Sequence, residues 1–150
     1  MAFVKIYINS VWETKSRFPF LTPEILHQVK EHLKQNAKKK NIFIDTIGGH
    51  NDHIHCLFCP GVELSVSKAL QLMKGESSFW INQNKITTSK FEWGDEYYAV
   101  SVDSGNLDRV RQYIKNQAEH HKKISYAEEV EAFLKEYNFN LKGSSPEKSE

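Results

Sequence analysis

Apolar and polar positions along the chain change period several times, and each change marks an element. The stretch from Phe3 to Thr14 is crowded with β-branched and aromatic residues and predicts a first strand. Thr22-Pro23-Glu24 follows with an N-cap hydroxyl, a proline suited to the first helical position and an early acid that complements the helix dipole. Ile25, Val29 and Leu33 then recur every four residues, so a helix is predicted to end near Lys38-Lys39-Lys40. Asn41 to Ile47 alternates as a second strand, Gly48-Gly49 reads as a turn, and His53 to Phe58 reads as a third strand closed by Pro60-Gly61.

Ser65 is placed to cap a second helix with Val66, Ala69, Leu70 and Met73 at helical spacing, weakened in its middle by Gly75. Residues 84–95 read as a polar connection, and Tyr97 to Val102 as a fourth strand. Asp103-Ser-Gly-Asn106 ends that strand, and Leu107, Val110 and Ile114 mark a third helix running to about Lys123. Ser125-Tyr-Ala-Glu128 is a capping-box pattern that opens a last helix with Val130, Phe133, Leu134 and Tyr137 on one face. The order strand, helix, strand, strand, helix, strand is the split βαβ pattern. The expected fold class is therefore α+β and ferredoxin-like, with an antiparallel sheet and added C-terminal helices. One domain over residues 1–140 is expected, with 141–150 as a polar tail.

At 150 residues with 39% hydrophobic and 26% charged positions, the composition is that of a globular domain with a packed core. No run is long and apolar enough for a membrane span and the N-terminus lacks a secretory layout, so a cytoplasmic location without membrane association is expected. The net charge of +1 is uninformative, but residues 1–123 carry +4 and residues 124–150 carry −3, which puts the positive field on the main body. Cys56 and Cys59 are too few for a disulfide framework.

The densest chemistry is His50-Asn-Asp-His53-Ile-His55. On a strand, His53 and His55 share a face with Cα atoms roughly 7 Å apart, a span that two imidazoles close onto one metal ion, while Ile54 faces the core. The plain alternative is a pair of histidines on a solvated sheet face. On the third helix, Tyr113 and Gln117 are four apart and share a face beside the apolar stripe. Taken alone, that pair reads as a tyrosine at the edge of the core beside a solvated glutamine.

In combination and in order, Val11-Trp-Glu-Thr-Lys15, His53-Ile-His55, Leu72-Met-Lys-Gly-Glu-Ser-Ser78, Trp93 to Ser101 and Tyr113-Ile-Lys-Asn-Gln117-Ala-Glu-His-His121 resemble the HUH single-tyrosine transposases of small bacterial and archaeal insertion sequences, U being a hydrophobic residue. The resemblance implies that His53, His55 and Gln117 hold one divalent ion, Mg²⁺ or Mn²⁺, with Tyr113 as the nucleophile. It also implies cleavage and rejoining of single-stranded DNA through a 5′-phosphotyrosine link with a free 3′-hydroxyl, without ATP. A free tyrosine has a pKa of about 10, so a proton must be removed during the reaction. The implied partners are DNA hairpins at element ends and a second copy of the chain, a homodimer whose tyrosine helix completes the other subunit's site in one arrangement known for the family.

Candidates for DNA contact are Lys15, Arg17, Lys38, Lys39, Lys40, Lys85, Lys90, Arg109, Arg111 and Lys115, with Trp12 and Trp93 as stacking platforms. Two other readings compete. A zinc site built on His53 and His55 with a cysteine is disfavoured because Cys56 alternates to the opposite face, and one using His50, as in a zinc hydrolase, because His50 lies beyond Gly48-Gly49. A non-catalytic single-strand-binding module would bind without needing Tyr113 or a metal.

Overall fold

In the computed structural model, residues 3–117 and 125–136 are described, and the chain divides into two compact units, 1–117 and 118–150. The first unit contains β1 (Tyr7–Thr14), α1 (Pro23–Lys39), β2 (Phe43–His50), β3 (His53–Cys59), α2 (Val66–Gln83), β4 (Trp93–Val102) and α3 (Leu107–Lys115). In the second, α4 (Tyr126–Glu136) opens with the reciprocal box anticipated from sequence: Glu128 N–H donates to Ser125 Oγ at 3.2 Å, and Ser125 Oγ lies 3.1 Å from Glu128 Oε1. Tyr137, expected on the apolar face of this helix, and His120-His121, the end of the tyrosine segment, lie outside the described residues.

The sheet has the order β2-β3-β1-β4 and every pairing is antiparallel, as the split βαβ pattern requires. Alternation sorts its two faces. Ile8 and Trp12 of β1 with Ile54, Cys56 and Phe58 of β3 join Val29, Leu33, Leu70, Met73 and Ile81 of the two long helices in the main core. At roughly 1.5–3 kcal/mol for each large apolar side chain removed from water, that cluster is the main source of stability. The opposite face carries Leu57, which packs with Leu107 and Ile114 of α3, with Tyr7, Val102, Val110 and Tyr113 at the edges.

Several boundaries differ from expectation for identifiable reasons. Pairing of β1 begins at Tyr7, opposite Val102, and Phe3, Val4 and Ile6 are exposed because neither neighbour extends to meet them. β4 starts at Trp93, paired with Thr14 across a bulge, because the Trp93 indole N–H donates to buried Ser77 Oγ at 2.9 Å. Gly48 and Gly49 do not form the turn; both lie within β2, and the chain reverses at Asn51-Asp52. Their lack of a side chain serves close approach: a Cβ on Gly48 would sit 2.3 Å from the Ile114 carbonyl oxygen, and one on Gly49 2.3 Å from that of His53. α3 ends at Lys115 with Asn116 as its cap, and the expected continuation from 118 to Lys123 lies outside the described residues.

One end of the sheet is tied together by backbone hydrogen bonds. Thr14 N–H donates to Asp52 O at 2.9 Å and Leu21 N–H to Asn51 O at 2.8 Å, joining the segment after β1 to the β2–β3 turn. Between those ties, Ser16 and Arg17 adopt left-handed φ values of 56° and 53°. Neither is a glycine, so the turn holds local strain.

Candidate active site

His53 and His55 are not on a solvated face: they are 0% and 3% exposed, beneath α3, and their rings lie edge to face with centroids 5.3 Å apart. One ring nitrogen of each falls within 4.8 Å of the other. Asp52 Oδ1 is 2.8 Å from His53 Nδ1, and since a carboxylate only accepts, the Nδ1 proton is held there. This leaves His53 Nε2 facing Gln117 Oε1 at 3.1 Å. The Gln117 amide is oriented by donation from its Nε2 to Tyr113 O at 3.3 Å. A ring nitrogen lone pair and an amide oxygen directed at one another are reconciled by a proton or a cation bound to both, so the donor set fits a divalent ion.

Tyr113 is half-buried beside this pair, its ring edge to face with His55 at 5.5 Å. All four residues named from the sequence therefore converge within a single chain. His50 is closer than the sequence suggested. With Gly48 and Gly49 inside the strand, it pairs directly with His53 and its ring lies 6.4 Å away, but it does not join His53 and His55 in a set of ligand atoms mutually within 4.8 Å. Cys56 faces the core, opposite the histidines as alternation predicts, and burial pushes its thiol well up, which removes it from any metal set.

The helix bearing the tyrosine is anchored by Arg111. Its Nε and Nη2 donate to the two Asp45 oxygens on β2 at 2.9 Å each, and Nη1 reaches Asp108 at 3.0 Å. The hydrogen bond from Arg111 holds the Asp45 carboxyl below its ordinary value of 3.8. An acid depressed in the folded state contributes stability above its unfolded pKa and loses it as the pH falls through the folded one. Urea unfolding from about pH 6 down to about pH 3 is therefore expected to show a steeper acid loss in the wild type than in Asp45→Asn, which starts less stable at the upper end.

The DNA candidates separate by position. Lys15 and Arg17 lie in the strained turn at the His53 end of the sheet; Lys15 is paired with Glu92 at 2.8 Å, and Arg17 is exposed near Glu13. Arg109 and Lys115 are exposed on α3 beside the site, whereas Arg111 is engaged by its two carboxylates. Lys38, Lys39 and Lys40 end α1, just before β2 begins, and so lie at the opposite end of the sheet from the histidines. Lys85 and Lys90 flank the connection between α2 and β4, Lys90 paired with Glu92 at 3.3 Å. Trp12 and Trp93 are not stacking platforms, being 0% and 8% exposed in the core. The exposed aromatics at this end are Phe18, at 54%, and Tyr97, at 37%. Strand alternation gives only the face of Tyr97, and Phe18 lies in irregular chain, so neither stood out.

A four-stranded antiparallel sheet carrying a His-Ile-His strand, with a tyrosine helix laid across it, defines the class: a tyrosine transposase. A family model described as "Transposase IS200 like" matches residues 2–117, and the chain belongs to that family. The match ends at the same residue as the first compact unit. Solved structures share the fold, two of them as follows. A crystal structure from Deinococcus radiodurans R1, assigned as a transposase, is 20% identical with a TM-score of 0.62, over 78% of this chain and 95% of that one. A REP-associated tyrosine transposase bound to a REP hairpin is 11% identical with a TM-score of 0.61, over 83% of this chain and 76% of that one. No curated protein matches the chain. No helix among the described residues is long and apolar enough to cross a membrane.

Proposed function

We propose that the chain cleaves and rejoins single-stranded DNA at hairpin-bearing ends through a covalent link to Tyr113, with a divalent metal ion, Mg²⁺ or Mn²⁺, held by His53, His55 and Gln117. The observation that carries this reading is the Gln117 amide, which lies 3.1 Å from His53 Nε2 while accompanying a tyrosine whose ring meets His55. When bound, the ion would supply Lewis-acid stabilisation to charge on the scissile phosphate. The chain's residues do the rest. Asp52 fixes the His53 tautomer, Arg111 and Asp45 hold α3 against β2, and the phenol attacks phosphorus. The new Oη–P bond replaces the P–O3′ bond, and the leaving 3′-oxygen takes up a proton, so one phosphodiester is exchanged for another and the reverse attack rejoins strands. Arg17, Arg109 and Lys115 border this site and are proposed as its phosphate contacts, whereas Lys15 is held by Glu92, Arg111 by its two carboxylates, and Lys38, Lys39 and Lys40 stand at the far end of the sheet.

The test is incubation with single-stranded DNA from the gene's own flanks plus Mn²⁺, followed by a denaturing gel. A protein–DNA adduct that chelation abolishes is expected; binding without any adduct would indicate the non-catalytic module instead.

The homodimer implied by the resemblance is carried in this proposal with each site completed by its own Tyr113, which the within-chain proximity of Tyr113 and His55 supports. Mixing Tyr113→Phe with His53→Ala subunits separates the arrangements. Completion within one chain predicts no recovery of adduct formation, whereas exchange between subunits would restore up to about a quarter of the sites, by random pairing of the two variants.

A further inference from the structure

On the sheet face opposite the histidines, a groove of 680 Å³ opens between α2 and the first half of β4. Its floor is a helix residue that ought not to be glycine: Gly75 stands in the middle of α2, where glycine weakens a helix, and a Cβ built on it meets nothing within 4 Å. Neither a close approach nor a turn accounts for it. What the missing side chain leaves is space in the groove.

The walls are polar and electrically balanced. Lys74 is drawn in over the rim, its Nζ donating to Gly94 O at 2.8 Å and Glu96 O at 3.4 Å, with no ion pair among the described residues, and burial lowers its pKa. Of its three donors two are committed to backbone, leaving one for an occupant. Lys15 and Glu92 neutralise each other at one end and Asp95 lies nearby, so two ammonium groups face two carboxylates. Such a lining repels a bare phosphate from Glu92 and Asp95 as strongly as the lysines attract it. It suits an uncharged ring with both donors and acceptors on its edge, which Gln71 and Ser78 also match. Tyr97, 37% exposed, supplies an aromatic face, with Lys74 Nζ 6.0 Å from its centroid.

We propose that this groove receives one unpaired nucleobase of the DNA strand, stacked on Tyr97 and read along its edge by Lys74, Gln71 and the carboxylates. The volume holds a nucleoside, and the combination of an aromatic wall with edge donors and acceptors is how unpaired bases are recognised. The groove meets the strained Lys15–Arg17 turn at Lys15, at the His53 end of the sheet, which connects it to the strand's path. This rests on the reading of the chain as a single-stranded DNA transposase.

The test uses the full chain and fluorescein-labelled oligonucleotides from the gene's flanks, each with an abasic site at a different position, against wild type, Gly75→Ala and Gly75→Leu. Because the position is open and helical, both substitutions are expected to hold or raise the melting temperature. In the wild type, one abasic position is expected to weaken binding about tenfold, the scale of a single stacked base. Gly75→Leu is expected to weaken the intact oligonucleotide by a similar factor and to be insensitive to that abasic position, with Gly75→Ala between. Unchanged affinity in Gly75→Leu, or a flat abasic scan, overturns the groove assignment. If the wild type still forms the covalent adduct in that case, the catalytic reading survives alone; if it neither binds nor forms an adduct, both fall.

Discussion

Tyr113→Phe is expected to abolish the covalent protein–DNA adduct while leaving the fold and single-strand affinity intact. The substitution removes one oxygen and keeps the ring, and the ring is what the structure uses for packing: it meets His55 edge to face and borders the Leu57, Leu107 and Ile114 cluster. The melting temperature should therefore hardly move. Loss of the proposed nucleophile would remove the chemical step, so the expected fall in adduct formation is at least about a thousandfold, the scale seen when a covalent nucleophile is deleted. Tyr98 is the informative control. It also lies on the site-side face of the sheet, paired with Val11, but its hydroxyl is 3.3 Å from Glu96 Oε2, and burial with that carboxylate pushes its pKa up. A phenol that resists ionisation is a poor nucleophile, so Tyr98→Phe should retain the adduct. An adduct that survives Tyr113→Phe and disappears in Tyr98→Phe would move the chemistry to β4 and sink the assignment.

The split βαβ order was legible in the sequence, and spacing assigned the candidate side chains to faces of their elements. His53 and His55 are separated by one residue, and strand alternation alone puts them on one face with Ile54 and Cys56 opposite, so their burial pattern followed from period two. Tyr113 and Gln117 needed only helical spacing. What alternation does not encode is what lies above a face. Whether the histidines met solvent or α3 depended on how the chain returns after β4, and that is set by the Leu57, Leu107 and Ile114 contact together with the Arg111–Asp45 pair, partners 66 residues apart. The tryptophans failed as DNA candidates for a related reason. Trp12 sits at an even position of β1, which alternation assigns to the main core, and that same logic, applied to Trp93 through its pairing with Thr14, would have removed both. Gly48-Gly49 misled because a glycine pair is a turn signal when only local conformation is considered, whereas here neither residue has a positive φ and both exist to let another backbone close in.

That close approach makes Gly48→Ala the second large effect. A β-carbon at Gly48 would stand 2.3 Å from the Ile114 carbonyl oxygen and 3.1 Å from Ile114 Cγ2. Both ends of that contact are backbone of packed elements, with Ile114 at 0% exposure, so no flexible side chain is available to yield and α3 must shift away from β2. Overpacking of this kind costs about 1–3 kcal/mol, enough to lower the melting temperature while leaving a folded chain. The catalytic loss should be out of proportion to it. Ile114 lies between Tyr113 and Gln117, so the displacement is delivered to the proposed nucleophile and the Gln117 amide together, and a misplacement of about 1 Å in a reacting group costs on the order of a hundredfold in rate. Adduct formation measured well below the melting temperature of the variant isolates this effect from unfolding. Gly75→Ala supplies the comparison, since the same chemical change made where a Cβ meets nothing should leave the rate of the chemical step, at saturating DNA, unchanged. If Gly48→Ala melts normally and reacts at the wild-type rate, α3 does not press on β2 and the gathering of Tyr113 and Gln117 over His53 and His55 within one chain loses its structural basis.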